Sequence, residues 1–203
     1  MANWTPGTRA RRARIAVFAS GRGSNLGSLM SAYPRGADRA VAMVISDQAA
    51  APALERARKA GLAAYHIQFP KGGREAFERQ AAGALAVGEI DLVCLAGFMR
   101  ILSAEFVRER FGRILNVHPA LLPDFPGLDP QRRVLEAGLK VSGCTIHFVD
   151  EGTDTGPIVA QARVPILPGD SEVTLSERIL AAEHRLYPMA VGLVLDGISR
   201  PVP

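Results

Sequence analysis

With 203 residues, 48% of them hydrophobic and 22% charged, the chain has the balance of a soluble globular protein, with room for one α/β domain or two small ones. No apolar run approaches the roughly 18 residues of a membrane span, and the N-terminus "MANWTPGTRARRAR" lacks the apolar core of a secretory signal, so a cytoplasmic protein is expected. The net charge of +4 suits a small anionic substrate, while the two cysteines, Cys94 and Cys144, sit in apolar runs and read as core residues; no Cys or His spacing suggests a metal site.

Residues 1–13 include most of an Arg-rich stretch, Arg9 to Arg14, which reads as a nucleic-acid arm or, more plainly, as a basic tail before the first strand. No aromatic-basic surface motif accompanies it, so no nucleic-acid partner is expected. "RIAVFAS" (14–20) then predicts a strand, followed by a Gly/Ser loop and a helix from about Asn25 to Ala32. "AVAMVISD" (40–47) is a second strand, and "AAAPALERARKAG" is a helix with Gly61 as its C-terminal cap. A weaker strand, "AAYHIQF", leads to a helix from Arg74 to about Val87. "DLVCLAGF" (91–98) is the most apolar run, as a central strand covered on both faces would be, and "RILNVH" is a fifth strand.

Strands alternating with helices imply a parallel sheet. The end of the chain differs: "SGCTIHFVD" (142–150) and "PIVAQARVPI" (157–166), joined by "EGTDTG", predict a hairpin. A last amphipathic helix starts after Asp170-Ser171 with Leu175, Ile179, Ala182 and Leu186 on one face, and Pro188 is expected to begin a separate final turn. The expected fold is a single α/β domain over 14–203: an open, mostly parallel, Rossmann-like sheet with an antiparallel hairpin at one edge.

The loop "SGRGSNLGSL" (20–29) lies between strand one and helix one, where open α/β folds bind phosphate. Gly21 and Gly23 permit a tight turn, and the N–H groups of Gly23, Ser24 and Asn25 would face an anion over the helix N-terminus. A dinucleotide fingerprint would need a third glycine where Leu26 stands, although Asp47 ends strand two where a ribose ligand would sit. A monophosphate fits better, because Ser24 and Asn25 add side-chain donors. A turn that simply needs glycine is the plain alternative.

The stretch "ILNVHPALLPDFPG" (114–127) places Asn116 and His118 two apart on a strand, hence on one face at its carboxyl end, with Leu115 and Val117 turned into packing. Pro119 ends the strand, and Pro123 and Pro126-Gly127 stiffen a loop able to fold over the site. An amide donor beside a group that titrates near neutrality suits acyl transfer. No Ser or Cys is placed as a nucleophile, which favours direct transfer between two bound substrates. Asp154, in the tight "TDTGP" turn, is the candidate carboxylate to raise the pKa of His118.

Six segments in this order, "SGRGSNL", "LAGFMRIL", "LNVHPALLP", "FPGL", "HFVDEGTDTGPIVAQ" and "EHRLYP", resemble the glycinamide ribonucleotide formyltransferases, folate-dependent enzymes of purine synthesis. The resemblance runs from about residue 14 to 195. It implies a phosphate-binding N-terminal half and a folate-binding, catalytic C-terminal half. Gly23, Ser24 and Asn25 match contacts to the ribonucleotide phosphate, and Glu183 a further ribonucleotide contact. Arg74 and the segment Met99, Arg100, Ile101, Leu102 match folate-binding positions, joined by Asn116; read without the resemblance, the segment is plain core. Asn116, His118 and Asp154 match the catalytic triad.

The implied reaction passes a formyl group from 10-formyltetrahydrofolate, a co-substrate, to the amine of glycinamide ribonucleotide with no metal. Asn116 and a protonated His118 would stabilise the oxyanion, and Asp154 would keep His118 cationic. Asp129 stands where many members have His, and Leu180 where the family is often polar. Methionyl-tRNA formyltransferase and formyltetrahydrofolate deformylase share the triad but carry an additional domain for which this chain has no room. A nicotinamide-dependent oxidoreductase is disfavoured by the broken glycine fingerprint.

Overall fold

The computed structural model describes residues 12–70 and 73–198, so residues 1–11 of the basic tail lie outside the described residues. Seven strands form one sheet in the order β3-β2-β1-β4-β5-β6-β7. They are β1 (Ala13–Phe18), β2 (Arg39–Ser46), β3 (Ala63–His66), β4 (Leu92–Leu95), β5 (Ile114–His118), β6 (Val141–Phe148) and β7 (Ile158–Pro165). The pairs among β1 to β5 are parallel, whereas β5–β6 and β6–β7 are antiparallel. The expected open sheet with a hairpin edge is what forms.

Alternation along the strands divides the core into two layers. Ile15 and Val17 pack with α1 (Ser24–Ala32), α2 (Pro52–Lys59) and the distal half of α6 (Glu172–Ile198). Ala16 and Phe18 face the other way, onto α3 (Arg74–Val87) and α4 (Ala104–Arg108). There Phe18 meets Phe77 and Phe98 edge-on, at centroid distances of 6.2 and 5.4 Å. A third cluster packs Cys144 and Val164 of the hairpin against Leu175, Ile179 and Ala182 of α6, with Leu135 of α5 (Pro130–Glu136) beside it.

Between β1 and β4 the strand order reverses. The chain leaves β1 for α1 on one face and leaves β4 for α4 on the other, so their carboxyl ends open a crevice. The strand of 91–98 is correspondingly short, because Gly97 takes a φ of +72° just beyond it.

One local expectation changes, and two helices join those expected. Pro188 does not start a separate turn: α6 runs unbroken from Glu172 to Ile198. Buried Tyr187, Ala190, Val191 and Leu195 on both sides of the proline anchor one continuous face, which outweighs the lost backbone hydrogen bond. The Tyr33 hydroxyl also donates to the Pro188 carbonyl at 2.7 Å. Two short helices, α4 and α5, lie in stretches too brief for a periodic signal. Ser103 caps α4 by accepting from the Phe106 N–H at 3.1 Å, and Pro130 opens α5.

Candidate active site

Asn116 and His118 project from the carboxyl half of β5, and the antiparallel pairing with β6 sets His147 opposite Asn116 and Thr145 opposite His118. The Thr145 hydroxyl donates to the Ala120 carbonyl at 2.7 Å and accepts from the Leu122 N–H at 3.0 Å, pinning the chain that leaves His118. Beyond it the proline-rich loop does fold over the strand tip. Its Gly127 N–H donates to Asp154 Oδ2 at 2.8 Å, and its Phe125 carbonyl lies 2.9 Å from His118 Nε2.

Asp154 is the hub. It holds a left-handed backbone, φ +57°, in the turn between β6 and β7. Gly156, two residues on, must be glycine, since a Cβ there would lie 1.9 Å from the Phe148 carbonyl oxygen. One Asp154 oxygen sits 3.2 Å from His118 Nδ1; the other accepts from Asn116 Nδ2 at 3.2 Å and lies 3.4 Å from His147 Nε2. The structure thus brings all three expected catalytic residues together. Burial alone would raise the Asp154 carboxyl, but the adjacent His147 ring, the Gly127 N–H that donates to it and the His118 ring hold it below its ordinary value.

The protonation of His118 differs from expectation. Burial, with the residue 4% exposed, pushes its pKa below the ordinary histidine value, and the Asp154 charge and the Phe125 carbonyl recover only part of the loss. Desolvation outweighs the carboxylate, so the neutral imidazole, not the cation, is favoured at neutral pH. Both ring nitrogens nevertheless face acceptors, and a neutral ring has one hydrogen for the two. The ring is therefore built to take up a second proton without moving.

His147 escaped the sequence reading. Its Nδ1 lies 2.8 Å from the Phe148 carbonyl, which only accepts, so that nitrogen carries hydrogen. When neutral, His147 leaves Nε2 to accept from Asn116 Nδ2 at 3.2 Å. Both amide hydrogens of Asn116 are then directed at His147 and Asp154, and serving an oxyanion requires exchanging one of these bonds. The signal was present in "TIHFVD", but it needs the β5–β6 register to become meaningful.

At the first loop, Gly23 has φ +70° and a Cβ there would come within 2.9 Å of Ala53 Cβ, so glycine is required. Ser24 and Asn25 open α1 as expected. Buried Asn25 donates from Nδ2 to Glu183 Oε2 at 2.7 Å, while its Oδ1 has no hydrogen-bond partner among the described residues. Burial raises the Glu183 pKa, opposed in part by that hydrogen bond. Gly23, Ser24, Asn25 and Glu183 thus meet in one place. Asp47 does not present a ribose acceptor. Its carboxylate is buried against Arg100 Nε and Gln48 Nε2, both at 2.8 Å.

The segment after β4 is not core throughout. Met99 and Ile101 are 71% and 66% exposed, whereas Leu102 is buried. Arg100 lies over the Phe69 ring at 5.1 Å while paired to Asp47, and the Met99 N–H donates to Ser20 Oγ at 3.0 Å. Exposed apolar side chains on a pinned backbone at the crevice suit a flat aromatic ligand. Arg74 begins α3, and Glu78 one turn later accepts from both the N–H and the hydroxyl of Ser103 at 2.6 Å, tying that helix start to the segment. Among the described residues no group of three or more His, Cys, Asp and Glu is placed to hold a metal ion, and no helix is long and apolar enough to cross a membrane.

Burial pushes the thiols of Cys94 and Cys144 up to about 12, so neither serves as a nucleophile. A histidine and an amide at a crevice, with no activated thiol among the described residues, fit an enzyme that passes a group directly between two bound molecules. The family model described as formyl transferase matches residues 13–191, and the chain belongs to that family. It is 46% identical over 193 residues to the phosphoribosylglycinamide formyltransferase of Mycobacterium tuberculosis, covering 92% of this chain and 87% of that one. The crystal structure of glycinamide ribonucleotide transformylase 1 from Symbiobacterium toebii matches with a TM-score of 0.87 and 48% identity, over 93% of this chain and 90% of that one. The trifunctional purine biosynthetic protein adenosine-3 of Drosophila pseudoobscura pseudoobscura is 49% identical over 94% of this chain, and the chain spans 14% of that protein's length.

Proposed function

We propose that this chain transfers the formyl group of 10-formyltetrahydrofolate to the amine of glycinamide ribonucleotide, giving formylglycinamide ribonucleotide and tetrahydrofolate in purine synthesis. The observation that carries the reading is the contact set of Asn116, His118 and Asp154 at the same carboxyl edge of the sheet as the Gly23–Asn25 loop, in a chain that covers most of the length of phosphoribosylglycinamide formyltransferases. The neutral amine attacks the formyl carbon and a tetrahedral oxyanion forms. Asn116 gives up one internal hydrogen bond to donate to that oxygen, a contribution of about 3 kcal/mol for one well-placed donor. His118, entering neutral, accepts a proton from the attacking nitrogen. It then returns the proton to N10 as the C–N10 bond breaks. Asp154 orients the ring and stabilises the imidazolium that forms between those steps. Holding amine and formyl group together supplies much of the remaining acceleration.

Gly23, Ser24, Asn25 and Glu183 take the ribonucleotide in this reading. Met99 to Leu102, with Arg74, take the folate on the other side of the crevice. The two free, buried cysteines suit a reducing compartment, and the reaction is read as cytoplasmic. The test is formyl transfer from 10-formyltetrahydrofolate with glycinamide ribonucleotide, water and initiator methionyl-tRNA as competing acceptors. Transfer to the ribonucleotide above the other two is expected. Preferential release of formate or formylation of the tRNA overturns the assignment.

A further inference from the structure

Between the first loop and the start of α6 lies an open pocket of about 630 Å³, with Arg22 on the loop side and Glu172, Ser176, Glu177 and Leu180 on the helix side. Ser176, Leu180 and Glu183 recur at i, i+4 and i+7 and share a helix face, so the pocket lies along the face that carries the buried Asn25–Glu183 hydrogen bond. A phosphate monoester there carries close to two negative charges. The α1 N-terminus offers only about half a positive charge against it, and Glu172 and Glu177 contribute the opposing sign. Leu180 has no charge to give. Among the residues lining the pocket Arg22 is the one cation, and it is exposed. It has no ion pair, hydrogen bond or ring contact among the described residues, unlike Arg39, Arg100 and Arg178, each held by a carboxylate.

We infer that Arg22 is the residue that neutralises the phosphate of the ribonucleotide, closing its guanidinium over a group held from below by Gly23, Ser24 and Asn25. The inference rests on the ribonucleotide reading above and adds a residue to it. The left-handed turn at Gly23 fixes where Arg22 leaves the backbone, and the planar fork of arginine matches two phosphate oxygens at once. The surrounding glutamates make the cation decisive. Without it, the wall of the pocket repels the ligand.

The test pairs Arg22→Gln and Arg22→Lys with the wild-type chain. Arg22→Gln should raise KM for glycinamide ribonucleotide about tenfold or more, the worth of a charge-assisted hydrogen bond, with KM for 10-formyltetrahydrofolate moving less than about twofold. Arg22→Lys should recover part of the loss. Calorimetric titration with ribose 5-phosphate reads the same contact without turnover. Wild type should bind more tightly than Arg22→Gln, and with a steeper fall as salt is added. A change within about twofold in either measurement overturns the inference. If the wild-type chain transfers no formyl group to the ribonucleotide, the functional reading fails, and the sugar-phosphate titration alone decides. Equal binding by both proteins, or binding by neither, then overturns the role of Arg22.

Discussion

His118 stands between two acceptors, the Asp154 carboxylate at 3.2 Å and the Phe125 carbonyl at 2.9 Å. Burial keeps the ring neutral, while the unserved acceptor rewards the next proton; those opposed pulls suit a group that must accept a proton and release it within one turnover. The sign of the pH dependence follows. In the proposed mechanism the neutral form accepts the proton, so kcat should fall as pH drops through a His118 pKa that lies below 6.5. Asp154→Asn removes the charge that draws this pKa upward, so His118 should titrate lower still, with kcat reduced about 10²-fold or more. NMR titration of His118 in both proteins, beside steady-state kinetics, checks this; an unmoved pKa or an intact kcat reduces Asp154 to a turn residue. Asn116 and His118 were legible because strand periodicity fixes which side chains share a face. His147 was not, since its place opposite Asn116 follows from a register between strands 31 residues apart.

The helix α6 shows how an element is held at its ends and through its middle. Asp170, before its first turn, accepts from Arg178 Nη1 at 2.6 Å and Nη2 at 2.9 Å, from the Leu167 N–H at 2.7 Å and from Thr174 Oγ1 at 2.9 Å. The Arg178 hydrogen bonds, first among these, hold the Asp170 carboxyl well below its ordinary value. A depressed pKa in the folded state means that stabilisation is complete above the unfolded value, about 3.9, and is lost as pH falls through the folded one. Asp170→Asn should therefore lower Tm at pH 7, and the gap to wild type should close as pH is taken toward about 2. Melting curves across that range decide; a gap independent of pH would mean the carboxylate charge is idle. The start of this helix was readable from Asp170-Ser171, but its passage through Pro188 was not. A proline's local cost is visible in its own residue, whereas the Tyr187, Ala190 and Val191 packing that overrides it comes from β1, β4 and α1.

Across the whole molecule, Tyr187 joins the helical layer to the centre of the sheet. Its side chain is fully buried, and its hydroxyl lies 3.0 Å from the Leu95 carbonyl and 3.1 Å from the Leu115 carbonyl, on neighbouring strands β4 and β5. Those carbonyls flank the ends from which Asn116 and the 99–102 segment depart, so α6 braces the crevice from behind. Tyr187→Phe keeps the packing and strands the two acceptors, which should cost about 1–3 kcal/mol and lower Tm by several degrees in a chain of this size. Thermal unfolding monitored by circular dichroism tests it, and an unchanged Tm would show that the carbonyls are satisfied otherwise.

The sequence alone determined the strand–helix alternation, the hairpin edge, the Gly23 turn and the Asn116–His118 pair, because each depends on residues a few positions apart whose periodicity or backbone restriction is local. Only the tertiary structure decided that Asp47 belongs to Arg100 rather than to a ribose, that Met99 and Ile101 face outward, and that burial lowers the pKa of His118 between two acceptors. Those outcomes turn on desolvation and on partners tens of residues away. A side chain's charge and its neighbours are set by what the folded chain packs around it, and no local pattern encodes that surrounding.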